Sequence, residues 1–264
     1  MKARNIIEKM NKWIPKDYID SWDNTGFQIG DPQREVEKIL IALDLDRYVL
    51  NKAIDEDFQM IITHHPIIFK PLNSITTMGH NTHIIFDAIK NDIVVYNAHS
   101  NLDLVDGGVN DCLANSLGLR DTIPLSLVNR DNLPPTLGYG RLGFVDRVSF
   151  DDYLEFIKNS LSSNHLVIYG DVKEYIEKVA VCGGSGSDFI YDAYRHQADI
   201  YVTGDIKYHD AQYGHELGLT IIDAGHFNTE KIVLPAIKNY LHSELDNKVQ
   251  IELVMELSLP QFIY

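Results

Sequence analysis

The stretch "EKILIALDLD", residues 37–46, reads as a buried strand with a charged entry, an apolar run and an acidic exit. It returns 140 residues later (37 against 177) as "EKVAVCGGSGSD", residues 177–188. The next strand returns at the same spacing, "MIITHHP" from Met60 being echoed by "IYVTGDI" from Ile200. Each half then passes through a helix to a strand that ends on a histidine, "IVVYNAHSNLD" in the first and "LTIIDAGHFNTE" in the second. Both carry His-x-x-x-carboxylate, His99 with Asp103 and His226 with Glu230, now 127 apart. Matches in the same order mark an internal repeat. Strands alternating with helices predict an α/β fold with a largely parallel sheet in each of two related lobes.

Outward from the repeat, Ile6, Ile7, Met10 and Trp13 have helical spacing, and Pro15 ends that helix. "SWDNTGFQIGDP" reads as a loop. "RYVLNKAIDEDF", "THIIFDAIKND" and "GVNDCLANSLGL" read as helices, the last closed near Gly118. The Pro/Gly-rich "NRDNLPPTLGYGRLGF" is the boundary candidate, dividing the chain into lobes 1–125 and 126–264. "SFDDYLEFIKNSL" follows as a helix with Ser149 as its N-cap, then "HLVIYG" as a strand.

The 264 residues suffice for a large core, and 45% of them are hydrophobic. With 23 Lys and Arg against 38 Asp and Glu the net charge is −15, which disfavours nonspecific nucleic-acid binding. Cys112 and Cys182 belong to no Cys-x-x-Cys pair and are read as reduced, buried thiols. The N-terminus has no apolar run long enough for a signal peptide or membrane span, so the expectation is a cytoplasmic protein with no membrane partner.

The polar residues gather where parallel sheets place ligands, beyond the carboxyl ends of strands. His64 and His65 end one strand, His99 and Asp103 follow another, and Thr203 to Asp205, His226 and Glu230 occupy the same places in the second half. If the lobes face each other, these groups converge in one cleft. Imidazole and carboxylate donors without thiolate suit zinc, iron or manganese. Consecutive strand residues point to opposite faces, so His64 and His65 reach cations only where the chain bends. His226 and Glu230, four apart at a helix start, share one face, and a glutamate can bridge a pair of ions. Alone, each feature is as well explained by a cap or a surface histidine; together they point to a two-metal site. Asn24, His99 and His209 are candidates for the same cleft. "CGGSGSD", between a strand and a helix, is a candidate anion loop, although it lacks the ending of a P-loop.

"WDNTGFQIG", "ITHHP", "HSNLD", "VTGD" and "GHFNTE" together resemble the GTP cyclohydrolase 1 type 2 homologues, the Nif3-like dinuclear-metal-centre proteins, over nearly the whole chain. The resemblance implies metal ligands at His64, His65, Asp103, His226 and Glu230. It also implies two α/β lobes facing each other across a metal-binding cleft, with no inserted domain, assembled as a toroidal homo-hexamer. The function expected from it is a hydrolase of a nucleotide or other small substrate. Two divalent ions, zinc, iron or manganese, would activate water, and His99 or His209 would move the proton. Two other readings share the same residues: a non-catalytic metal-binding ring that scaffolds partner proteins, and a two-metal phosphodiesterase.

Overall fold

The computed structural model describes residues 1–79, 81–130, 133–256 and 259. The chain forms two compact units, one of residues 1–102 with 234–264 and one of residues 103–233. It thus divides at 102/103 and again at 233/234, whereas the composition placed a single division at 125/126.

The first unit opens with helix α1 (Ala3–Trp13), whose buried face carries Ala3, Ile6 and Met10. Strand β1 (Gly26–Ile29) lies within the segment expected to be all loop. Then come β2 (Lys38–Ala42), α2 (Arg47–Asp55), β3 (Met60–Thr63), α3 (Thr82–Lys90) and β4 (Val94–Asn97), and the chain passes into the second unit within α4 (Ser100–Leu104). Asp46 caps α2, its carboxylate accepting from the Val49 N–H at 2.8 Å. All four residues of β3 are buried, as are all four of β4, as expected of central parallel strands covered on both faces.

The second unit continues with α5 (Val109–Ser116), β5 (Arg120–Leu127), β6 (Gly138–Ser149), α6 (Phe150–Leu161), β7 (Val167–Tyr169) and β8 (Tyr175–Ser185). It ends with α7 (Ile190–Arg195), β9 (Ile200–Gly204), α8 (Tyr208–Glu216), β10 (Thr220–Asp223) and α9 (His226–Glu230). Ser149 caps α6 as expected, its hydroxyl accepting from the Asp152 N–H. The chain then returns to the first unit through α10 (Leu234–Glu244) and β11 (Gln250–Leu253).

The first sheet has the order β1-β4-β3-β2-β11, with β11, β2, β3 and β4 paired parallel and β1 antiparallel. The second has the order β5-β6-β8-β9-β10-β7. Only its β8, β9 and β10 pair parallel; β5, β6 and β7 add antiparallel pairings, so this sheet is mixed. Part of the Pro/Gly-rich segment read as a connection is the start of β6. Leu40, Leu50, Ile61, Ile85 and Val95 centre the core of the first unit. In the second, Val179, Val181, Ile200, Val202 and Ile222 pack against α5 and α6, while Ala180, Tyr201 and Ile221 pack against α7 and α8.

The repeat is structural to the level of single hydrogen bonds. Register in β2–β3 (Ile39 with Met60) recurs in β8–β9 (Val179 with Ile200), 140 residues on. Gln59 accepts from the Glu37 and Lys38 N–H groups, and Asp199 accepts from those of Glu177 and Lys178, again 140 on. Thr63 pairs with Asn97 and Thr203 with Asp223, a spacing now of 126 between β4 and β10. It becomes 127 at the histidines because Gly225, at φ 87, is one extra residue before α9. The expected two related α/β lobes are therefore present. Among the described residues, no helix is long and apolar enough to cross a bilayer.

Candidate metal centre

In the first unit, β3 stops at Thr63 and the chain bends. The N–H groups of both His64 and His65 donate to the Leu43 carbonyl, at 3.1 and 3.0 Å, and the Thr63 hydroxyl donates to the His65 carbonyl. This bend frees the neighbouring rings from strand alternation, leaving their planes 47° apart with centroids 4.9 Å apart. His64 is fully buried and His65 partly so. His99, from the end of β4, completes a group in which one ligand atom from each of the three rings lies within 4.8 Å of the others.

What fixes these rings is common to all of them. His64 Nδ1 lies 2.8 Å from the Ala98 carbonyl oxygen, which can only accept, so Nδ1 carries the proton and Nε2 the lone pair. His65 Nδ1 lies 2.8 Å from Asp44 Oδ1, and His99 Nδ1 2.9 Å from Asp23 Oδ1. A carbonyl or carboxylate on one nitrogen that turns the other outward is the arrangement of metal-bound histidine.

Asp23 is itself deeply anchored. Burial would raise its carboxyl, but hydrogen bonds from His99, Ser100 and Thr25 outweigh that and hold it well below the usual carboxylate range. The Ser100 N–H and hydroxyl and the Thr25 hydroxyl converge on Oδ2, tying the loop before β1 to the start of α4. Asn24, its neighbour and the residue singled out from sequence, donates instead to the Ile68 carbonyl.

In the second unit, His226 opens α9 after the turn at Gly225. Its Nδ1 lies 2.8 Å from Asp205 Oδ2, and its Nε2 lies 2.9 Å from Glu230 Oε2. The imidazole thus lies between two carboxylates, one behind it at Nδ1 and one beside Nε2. Glu230 is buried. Gly184, at φ 67, packs so closely that a Cβ there would run into Glu230 Oε1. Asp103 and Glu230 both act on the buried Cys182, whose thiol is pushed up first by burial and then by these acids. Cys112 is raised to about 11 by burial and Asp111, so neither cysteine is a ready thiolate. His209 is exposed on the first turn of α8, its ring edge-on to Tyr208.

In the candidate anion loop "CGGSGSD", the Gly183 N–H donates to Asn110, that of Gly184 to Thr229 and that of Gly186 to Thr203, so all three of these glycine donors are engaged within the protein. Sequence reasoning missed Asp23 and Asp44 and took Asp205 only as a strand-end polar group. The available signal was position, since Asp44 and Asp205 follow strands adjacent to those that end on the histidines they hold.

The donors fit a divalent cation. They are lone-pair imidazole nitrogens and carboxylates without thiolate, each ring oriented from behind.

The chain matches the family model Duf34/NIF3 (NGG1p interacting factor 3) over residues 1–258. It is 36% identical over 251 residues to the "GTP cyclohydrolase 1 type 2 homolog" of Clostridium perfringens, covering 95% of both chains. A Bacillus cereus protein related to NIF3 superposes with a TM-score of 0.94 at 27% identity, covering 100% of this chain and 99% of that one. Reduced HcgD from Methanocaldococcus jannaschii superposes at 0.82 with 33% identity, covering 97% and 98%. With its repeated β-α-β-α-β halves and its positioned histidines, this chain belongs to the Duf34/NIF3 family.

Proposed function

We propose that the protein is a two-metal hydrolase acting on a nucleotide or other small substrate, with His64, His65, Asp103, His226 and Glu230 as the metal ligands. The observation that carries the reading is the fixing of His64, His65 and His226 through Nδ1, by Ala98, Asp44 and Asp205, which turns Nε2 of the first two outward and sets that of His226 beside Glu230, the other ligand on its helix. The description of the relatives as GTP cyclohydrolase 1 type 2 homologues points the same way for the substrate class. When bound, two divalent ions supply an acidified water and a Lewis acid for the attacked centre. His99, with Nδ1 on Asp23, is the residue placed to take up the proton at Nε2, ahead of the exposed His209. Five protein ligands leave coordination positions open, as catalytic sites do and closed structural sites do not. We place the active form in a cytoplasmic homo-oligomer, a toroidal hexamer.

The family description, NGG1p interacting factor 3, favours a second reading, a metal-binding ring that holds partner proteins. Turnover of nucleotides, phosphoesters and cyclic amides by metal-loaded protein separates the two. Hydrolysis that is lost in the His64→Ala, His65→Ala double variant, with assembly retained, supports the hydrolase. Stoichiometric metal binding without turnover supports the ring. Products identified by mass tell attack at carbon from attack at phosphorus.

A further inference from the structure

We infer that Trp22 and Phe69 form a stacking platform for a planar heteroaromatic ring, holding that part of a substrate beside His64, His65 and His99. The inference rests on the small-substrate reading above and adds what the chain grips. Trp22 is 59% exposed and Phe69 44%. Scattered exposed aromatics need no explanation, but these meet one another, with centroids 6.1 Å apart and planes tilted by 56°. Both also meet the same imidazole edge-on, Trp22 at 5.8 Å and 84° from His99, Phe69 at 6.3 Å and 86°. Two exposed aromatic rings thus border the first unit's imidazole cluster.

The pair is held in place by polar ties between its loops. The Asn24 side chain donates to the Ile68 carbonyl, the Ile68 N–H donates to Gln28 Oε1 at 3.1 Å, and Gln28 Nε2 donates to the Asn24 carbonyl at 2.8 Å. Both backbone groups of the residue before Phe69 are therefore fastened to the segment that follows Trp22, one to Asn24 and one to Gln28 of β1. Segments fixed before a ligand arrives lose little freedom when it binds. Neither ring carries charge, so the platform selects a flat π face rather than a phosphate or carboxylate. Stacking on such side chains tolerates any base.

The test uses the intrinsic fluorescence of Trp22. The chain has two tryptophans, so Trp13→Phe leaves Trp22 as the sole tryptophan, read apart from the 14 tyrosines by exciting at wavelengths beyond tyrosine absorption. Emission is followed while guanosine, uridine or ribose is added to chelator-treated and to metal-loaded protein. The platform predicts saturable quenching by both nucleosides in both preparations, none by ribose, and affinity weakened about 5- to 100-fold by Phe69→Ala. Purine against uridine then reports which class of base the platform prefers. An equal response to ribose, or an unchanged affinity in Phe69→Ala, overturns the inference. So does a Trp22 shielded from acrylamide in the unliganded protein, since another surface then covers it. Quenching without turnover supports the platform while counting against the hydrolase, and turnover without quenching does the reverse.

Discussion

Asp44, Asp205 and Asp23 each hold the Nδ1 of a histidine, and their removal leaves the ring in place but free to turn. Asp44→Asn and Asp205→Asn should therefore weaken metal affinity by about 10- to 100-fold without unfolding the chain; competition against a chelating dye measures it. Asp23 makes a different prediction because its native carboxyl lies well below the ordinary range. A group depressed in the folded state stabilises it above the unfolded pKa, about 3.9, and that contribution drains away as pH falls towards the native value. Asp23→Asn should lower stability at neutral pH by about 1–3 kcal/mol, since buried donors lose a charged acceptor. It should also flatten the acid side of the stability profile below about pH 4. Urea midpoints measured across pH decide it, and a parallel profile for the variant would contradict the assignment. Of these residues the histidines were legible from their neighbours in sequence. The carboxylates were not, because Asp44 and His65 are 21 positions apart and meet only through strand order. In the Trp-Asp-Asn loop, sequence favoured Asn24, whereas the folded loop turns Asp23 onto His99 and Asn24 onto the backbone.

At the scale of elements, the repeated halves close their helices in one way. The N–H of Phe58 reaches the Ala53 carbonyl, Ala198 reaches Ala193, Ile93 reaches Ala88 and Leu219 reaches Gly214. The residue before each lies in the left-handed region: Asp57 at φ 59, Gln197 at 56, Asp92 at 53 and Gly218 at 75. This is the six-to-one closure that glycine favours, and only one of the four joints has glycine. Gln197→Gly should relieve about 1–2 kcal/mol of left-handed strain against about 0.5–1 kcal/mol of added chain entropy, a net gain near 0.5 kcal/mol. Gln197→Val, β-branched at the same φ, should be the less stable of the pair; thermal midpoints that reverse this order would refute it. The parallel strands and their helices were legible because β2, β3 and β4 are apolar runs broken only at one end, by Lys38, Thr63 and Asn97. Strands β1 and β5 escaped notice because both lie at sheet edges, where turn formers and even Pro124 are tolerated.

For the whole molecule, the repeat announced two related halves, but the contact-defined units were hidden from local patterns. The chain leaves the first unit after Leu102 and comes back at Leu234, where β11 pairs parallel with β2 in register with Lys38 to Ile41. A strand from the far end of the chain gives no sign of its partner in its own four residues. The central claim is that His64, His65, Asp103, His226 and Glu230 hold two divalent ions. Diffraction from the metal-loaded protein, with anomalous data collected across the manganese, iron and zinc edges, tests this most directly. The account predicts two anomalous peaks per chain, about 3.5–4 Å apart, bound by those three imidazoles and two carboxylates. A single peak, or none beside these side chains, would contradict it.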